Sequence, residues 1–167
     1  MEQASVVIFC LFVVMNKNVS IRVINVSDFD LLKRIELNAS NKKYSDLNEE
    51  LNEDVLFSFI HSNHDIYLHK QLKFTILENN ERVGFVDLYE VDFEKKKAGI
   101  AIIILPEFRR KKIATSAINE AIKWSNKIGI SHYFAEVEKS NISSLHLFEK
   151  AGFHQAQETK DYYFLEK

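Results

Sequence analysis

Cysteine is nearly missing from this chain: Cys10 stands alone among 167 residues, which excludes a disulfide framework and a cysteine-built zinc centre. Proline and glycine are also scarce, at one and four, so long linkers and low-complexity segments are excluded. Neither charge sign dominates, because 22 Lys+Arg stand against 24 Asp+Glu for a net −2. That balance argues against a bulk nucleic-acid binder and leaves room only for a local basic patch. The apolar run ASVVIFCLFVVM, Ala4 to Met15, is shorter than the roughly 20 residues of a membrane-spanning helix. Glu2 precedes it and Asn16-Lys17-Asn18 follow it, which is not the charge pattern or cleavage site of a secretory signal. Residues 1–14 therefore read as a spurious or disordered extension, with a weak membrane anchor as the alternative, and Met15 as the true start.

The apolar share is 46% and the charged share 28%, the balance of a soluble globular domain. One cytoplasmic domain over 15–167 follows as the expectation. Ser20 to Val26 alternates like a strand, and Ser27-Asp28 offers an N-cap to a helix carrying Phe29, Leu32 and Ile35. A second helical zone runs from about Asp46 to His61. Strands are expected at Leu72–Leu77 and Val83–Val91, joined by the polar turn Glu78-Asn79-Asn80-Glu81. Ile100 to Leu105 is a continuous apolar run, the pattern of a strand buried on both faces, and Pro106 ends it. A helix from Thr115 to Lys127, a strand from His132 to Val137, a helix from Ile142 to Ala151 and a closing strand at Tyr162–Leu165 complete the chain. The expected fold is a mixed α/β sheet with helices on both faces.

The chemistry is expected where that apolar run meets Arg109-Arg110-Lys111-Lys112-Ile113-Ala114-Thr115. A strand-to-helix turn presents unpaired N–H groups at the positive end of a helix dipole, and four cations there suit a phosphate. Taken alone, the same run reads equally well as a solvated basic turn. An RNA or DNA binder built on these cations is a distant third reading, since no interleaved aromatics accompany them.

Two stretches together carry a resemblance: VGFVDLYEVDFEKKKAGIAIIILPEFRRKKIATSAI and, after a strand, NISSLHLFEKAGF. They resemble the GNAT family of N-acetyltransferases, with a weaker echo in IRVINVSDFDLL, and look closest to its spermidine and ribosomal-protein N-terminal branches. The resemblance implies a GNAT-like acyl-CoA N-acyltransferase fold. It also implies acetyl-CoA as co-substrate and direct transfer to an amine: a polyamine, an amino sugar or a protein N-terminus. The family's loop pattern Arg/Gln-x-x-Gly-x-Gly/Ala falls on Arg109, Lys112 and Ala114. By resemblance, the backbone of Ile102, Ile103 and Ile104 bonds the pantetheine arm, and an N–H there stabilises the oxyanion. The amides of Arg110, Lys111, Lys112, Ile113, Ala114 and Thr115 hold the pyrophosphate. Asn141, Ser144 and Phe148, on one helix face, line the cofactor's far side, and Asn141 is also an N-cap.

The chain departs from the pattern at three positions. Lys112 stands where glycine is usual, which requires an ordinary φ there if the lysine is to be tolerated. Phe148 stands where the family has its proton-donating tyrosine, with Tyr162 or Tyr163 as substitutes, and Gly99 stands where relatives often carry a carboxylate. These departures keep open a rival: a catalytically weak or inactive module that binds acyl-CoA or a protein. Glu90 is the expected amine-deprotonating base, acting through a water, and also reads as a solvated strand-end charge. Asp87 is the reserve, on the opposite face by alternation. Acidic residues Asp46, Glu49, Glu50, Glu53 and Asp54 read as a wet helix face that would also attract a polyamine. His61, His64 and His69 fit no ligand spacing, so no metal is expected. A homodimer is compatible with the sequence, and stable membrane association is not expected.

Overall fold

The computed structural model describes residues 19–38, 52–62 and 64–167. The extension over 1–14, Cys10, Met15 and the acidic residues Asp46, Glu49 and Glu50 lie outside them. Strand β1 (Val19–Val23) leads through a short 3-10 turn, Val26–Asp28, into α1 (Phe29–Glu36). Asp28 is the N-cap residue of α1, within the expected Ser27-Asp28 pair, and Asn25 caps the 3-10 turn ahead of it. The Asn25 side chain accepts from the Ser27 N–H, while Asp28 accepts from the Asn25 N–H, so two orphan donors are satisfied reciprocally.

Helix α2 (Glu53–Ile60) starts at Asn52, whose side chain accepts from the Val55 N–H, and α3 (Ile66–His69) is a single turn. Next come β2 (Leu72–Glu78), β3 (Glu81–Asp92) and β4 (Lys97–Ile104). Asn79 and Asn80, both at positive φ (50° and 67°), make the β2–β3 turn. After a 3-10 turn at Pro106–Phe108 the chain forms α4 (Ile113–Asn126), β5 (His132–Glu138), α5 (Ile142–Lys150), β6 (His154–Glu158) and β7 (Tyr162–Glu166).

The seven strands form one mixed sheet in the order β1-β2-β3-β4-β5-β7-β6. Strand β6 escapes the sequence reading because all five of its residues are exposed. Only its antiparallel ladder with β7 makes it a strand, and it takes the sheet edge from β7.

Two cores cover the two faces. Ile100 and Ile104 pack with Ile113, Ala117, Ile118 and Phe148 of α4 and α5. Phe85 and Leu105 pack with Leu32 and Ile35 of α1 and Leu56 and Ile60 of α2, with Ile103 against them. Asp28 is fully buried beneath α1, held by Arg22 at 2.6 and 2.7 Å and by the Thr75 hydroxyl at 2.8 Å. Burial by itself would raise its pKa. The Arg22 guanidinium, the Asn25 N–H and Thr75 outweigh that and hold it below the ordinary carboxylate value.

The apolar run on β4 corrects one expectation. Ala101 is exposed, and Ile102 and Ile103 are only half-buried. The reason is local: β5 leaves β4 before those residues are reached.

Candidate functional site

Strands β4 and β5 pair in parallel at Lys97–His132, Ala98–Tyr133 and Gly99–Phe134, and no further. Beyond that point β4 runs on to Ile104 and β5 to Glu138, so the sheet forks. Strand backbones alternate between edges. Leu105 N–H bonds the Val83 carbonyl, and the Ile103 oxygen lies against Gly84, where a Cβ would come within 2.1 Å of it. Residues 103 and 105 therefore spend their backbone groups on β3, whereas Ile102 and Ile104 turn theirs into the fork. Of the expected trio, Ile103 is thus directed away from any arm lying between the strands.

A cleft of 1550 Å³ passes through the fork. On the α4/α5 side it is walled by Ala114, Asn141, Ser144, Leu147 and Phe148. On the α1/α2 side it is walled by Glu36, Lys73, Asp87 and Tyr89 among others. Asn141 caps α5, its side chain accepting from the Ser144 N–H at 3.1 Å. Phe148 is 4% exposed, its ring edge-on to Phe153 at 5.1 Å, and it supplies no hydroxyl. Tyr162 lines the cleft; Tyr163 instead packs against the core with Lys139 over its ring at 5.0 Å.

The basic turn closes one end. Arg110 and Lys112 both adopt the left-handed conformation, at φ 62° and 63°. The expectation of an ordinary φ at Lys112 is therefore overturned. The lysine takes the backbone shape a glycine would take, with its side chain exposed to solvent. Ser116 N–H, bonded to the Lys112 carbonyl, is the first amide to bond back into α4. The amides of Ile113, Ala114 and Thr115 precede it in the first turn, where helix N–H groups have no intrahelical acceptor. Such consecutive amides around left-handed residues form a concavity suited to an anion. Arg109 Nε bonds the Ile104 carbonyl at 2.8 Å, and Lys111 Nζ stands 4.8 Å over the Phe108 ring. Arg109 and Ala114 line the cleft; Arg110, Lys111 and Lys112 are exposed beside it, and the Ile113 side chain is core.

Glu90 sits on a bulge that shifts the β3–β4 register between Tyr89 and Asp92, at φ 48°. It is exposed and lines the cleft. Asp87 lines the cleft too, so both carboxylates reach it, contrary to simple alternation, which the bulge breaks. Asp87 accepts from Lys73 Nζ at 2.9 Å, and Lys73 also reaches Glu36 at 3.3 Å. Burial pushes the Asp87 carboxyl up against the opposing pull of Lys73. For Lys73, burial is outweighed by the two carboxylates, which raise its pKa and keep it charged.

Sequence reading passes over the charged cleft residues Arg34, Glu36, Lys73, Glu136 and Glu138, and also Tyr89, half-buried beside the fork. For Tyr89 the available signal is Gly99 in mid-strand, since a strand glycine often marks a close approach. Among the described residues, no group of three or more His, Cys, Asp or Glu side chains is placed to hold a metal ion. Nor is any helix among them long and apolar enough to cross a membrane.

The sequence model of the acetyltransferase (GNAT) family matches residues 34–153. The chain belongs to this family. A spermidine N(1)-acetyltransferase of Escherichia coli is 26% identical over 149 residues, covering 89% of this chain and 79% of that protein. An N-alpha-acetyltransferase of Saccharolobus solfataricus is 34% identical over 82 residues, 48% of this chain and 49% of that one. Among solved structures, a spermidine N-acetyltransferase from Vibrio cholerae, in complex with CoA and spermine, superposes with a TM-score of 0.72. Its identity is 21%, with 89% and 94% of the two chains covered. This GNAT chain is an acetyl-CoA-dependent N-acetyltransferase.

Proposed function

We propose that this GNAT enzyme acetylates a primary amine on a small cationic acceptor of the polyamine type. The carrying observation is the forked cleft, open on one side to the amide-lined turn and on the other to carboxylates. The cleft wall holds Glu36, Asp87, Glu90, Glu136 and Glu138 against Arg34, Lys73 and Arg109, and Arg34 is itself paired with Glu107 at 2.6 Å. An excess of carboxylates draws in a polycation. The spermidine acetyltransferases among its relatives support the same acceptor class.

The chain's residues fit acetyl-CoA as co-substrate. Ile102 and Ile104 offer strand-edge groups to its arm, and the turn from Arg110 to Thr115 offers amides to its pyrophosphate. Asn141, Ser144 and Phe148 wall the far side. Glu90 takes a proton from the acceptor ammonium through a water, leaving a lone pair on nitrogen. That nitrogen attacks the thioester carbonyl carbon, and the Ile102 N–H stabilises the oxyanion. The C–N bond forms as the C–S bond breaks. A thiol of pKa about 8.5 leaves well as a thiolate, so transfer proceeds with a phenylalanine at 148.

The non-catalytic module is not favoured, because two of the departures that raised it are accommodated: Lys112 keeps the glycine-like φ, and Gly99 leaves room for Tyr89. We read the enzyme as cytoplasmic, a single domain over 15–167, without a nucleic-acid partner; light scattering decides between monomer and homodimer. The acceptor test is thiol release from acetyl-CoA with spermidine, an amino sugar and a peptide N-terminus. Spermidine should give kcat/KM at least about tenfold above the others, about 1.4 kcal/mol in the transition state. Preference for the peptide would overturn the acceptor class, and no thiol release with any amine would overturn turnover.

A further inference from the structure

The fork needs a cause. Strands that start in register normally continue to pair, because each unpaired backbone group beside the gap must find another partner. The last paired residues are Gly99 and Phe134, and what stands at that point is the side chain of Tyr89.

Tyr89 is the β3 partner of Gly99. A Cβ on Gly99 would meet Cζ of the Tyr89 ring at 2.3 Å, Cε2 at 2.5 Å and Cε1 at 2.6 Å. The distal end of the ring therefore lies directly over the Gly99 backbone, reaching across β4 toward β5. There it meets Phe134 edge-on, with ring centroids 5.3 Å apart and planes at 74°. The glycine is thus the seat of the tyrosine.

The hydroxyl lies on the side of the next backbone group of β5. Tyr133 exchanges both backbone bonds with Lys167 on the β7 side, so the alternate residues Phe134 and Glu136 turn theirs toward β4. In an unforked parallel ladder the Glu136 N–H would bond the Ile100 carbonyl; the ladder stops one step short of it. The Glu136 backbone instead lies near the Tyr89 phenol, in the sense that favours the phenolate, which is the sense of an N–H rather than a carbonyl facing it. Burial and the Glu136 and Glu90 carboxylates together push the phenol pKa up, so the hydroxyl keeps its own proton.

Resting on the acetyl-transfer reading of the cleft, we propose that Tyr89 is a positioning residue that sets the fork. Its ring occupies the seat over Gly99 and its oxygen takes up the first N–H of β5 beyond the ladder, holding β4 and β5 apart where the acetyl-CoA arm enters. Its ring is at the same time part of the floor on which the amine meets the thioester, since Asp87 and Tyr89 line the same cleft wall. The tyrosine acts through the backbone it holds, and no proton transfer is assigned to it.

The test compares the full chain with Tyr89→Phe, which keeps the ring and deletes the oxygen. Steady-state kinetics with acetyl-CoA and spermidine are measured alongside thermal unfolding and amide hydrogen exchange at Glu136. Expected for Tyr89→Phe are a KM for acetyl-CoA about fivefold higher, the scale of one lost hydrogen bond, and faster exchange at the Glu136 amide. The KM for the amine should stay within about twofold and Tm within a few degrees. An unchanged KM for acetyl-CoA with unchanged Glu136 exchange overturns the proposal. A common fall of Tm with both KM values raised also overturns it, because that is a general packing effect. Gly99→Ala unseats the ring and should reproduce the rise in acetyl-CoA KM; a wild-type KM there counts against the seat. Should the unsubstituted chain bind no CoA, the transfer reading fails by itself, whereas the exchange rate at Glu136 still decides whether Tyr89 holds the fork.

Discussion

Arg109 Nε donates to the Ile104 carbonyl across 2.8 Å, tying the first residue of the basic turn to the last residue of β4. One side chain thus joins the strand edge that would receive the pantetheine arm to the turn that would receive the pyrophosphate. Arg109→Ala should weaken CoA binding by about tenfold or more, from the lost charge and from release of the turn together. Arg109→Lys, which keeps the charge on a point cation, should recover only part of that loss. Calorimetry with CoA measures both; full recovery by lysine would mean that the charge alone matters.

Lys112 holds the left-handed conformation without being glycine, which costs on the order of 1–2 kcal/mol. Lys112→Gly should stabilise the fold by about 1 kcal/mol, raising Tm by about 2–4 °C for a chain of this size. Lys112→Val should lower Tm, since a β-branched residue tolerates that φ least. If calorimetry shows that Lys112→Gly binds CoA more weakly although it is more stable, the lysine charge contributes to the anion site.

The buried Asp28 makes stability depend on acid pH. Its folded pKa lies below the unfolded value of about 3.9, so it stabilises fully above that value and loses the contribution as pH falls through the folded one. Asp28→Asn should cost about 2–3 kcal/mol near neutrality by leaving Arg22 and Thr75 poorly matched. Denaturant titrations from pH 7 to 3 should show the gap between the two proteins narrowing at the acid end. A gap that stays constant down to pH 3 would contradict the pairing.

Glu90→Gln removes the proposed proton acceptor while leaving the turn untouched. Its kcat should fall by about 10²–10⁴ with the CoA affinity unchanged. Raising the pH toward the acceptor amine's own pKa should recover part of the rate, since the free amine then arrives unaided. A variant with normal kcat would return Glu90 to the role of a solvated charge and move attention to Asp87.

Much of the frame was legible from local patterns. The two strand segments Leu72–Leu77 and Val83–Val91 joined by a polar turn, the helical periodicity over Thr115–Lys127 and the cap at Asn141 all correspond to elements found near where they were expected. Local chemistry sufficed there because the apolar content of each segment and the polar residues at its ends already mark its limits. The first helix was expected from Ser27-Asp28 and its N-cap is Asp28, but the 3-10 turn capped by Asn25 ahead of it was not read, because it rests on Asp28 being held by Arg22 and Thr75 from other parts of the fold. Strand β6 was illegible, since a strand with no buried face leaves no periodicity to read.

The sequence by itself determined the two-faced α/β frame, the position of the basic turn after the apolar strand, and the family signature in those two stretches. Only the tertiary structure decided that the apolar strand opens into a cleft, that Lys112 adopts a glycine's backbone shape, and that Tyr89 sits over Gly99 at the point where pairing stops. The physical reason is range: helix and strand patterns are set by neighbours along the chain, whereas a fork between β4 and β5 depends on groups from three strands meeting across the sheet.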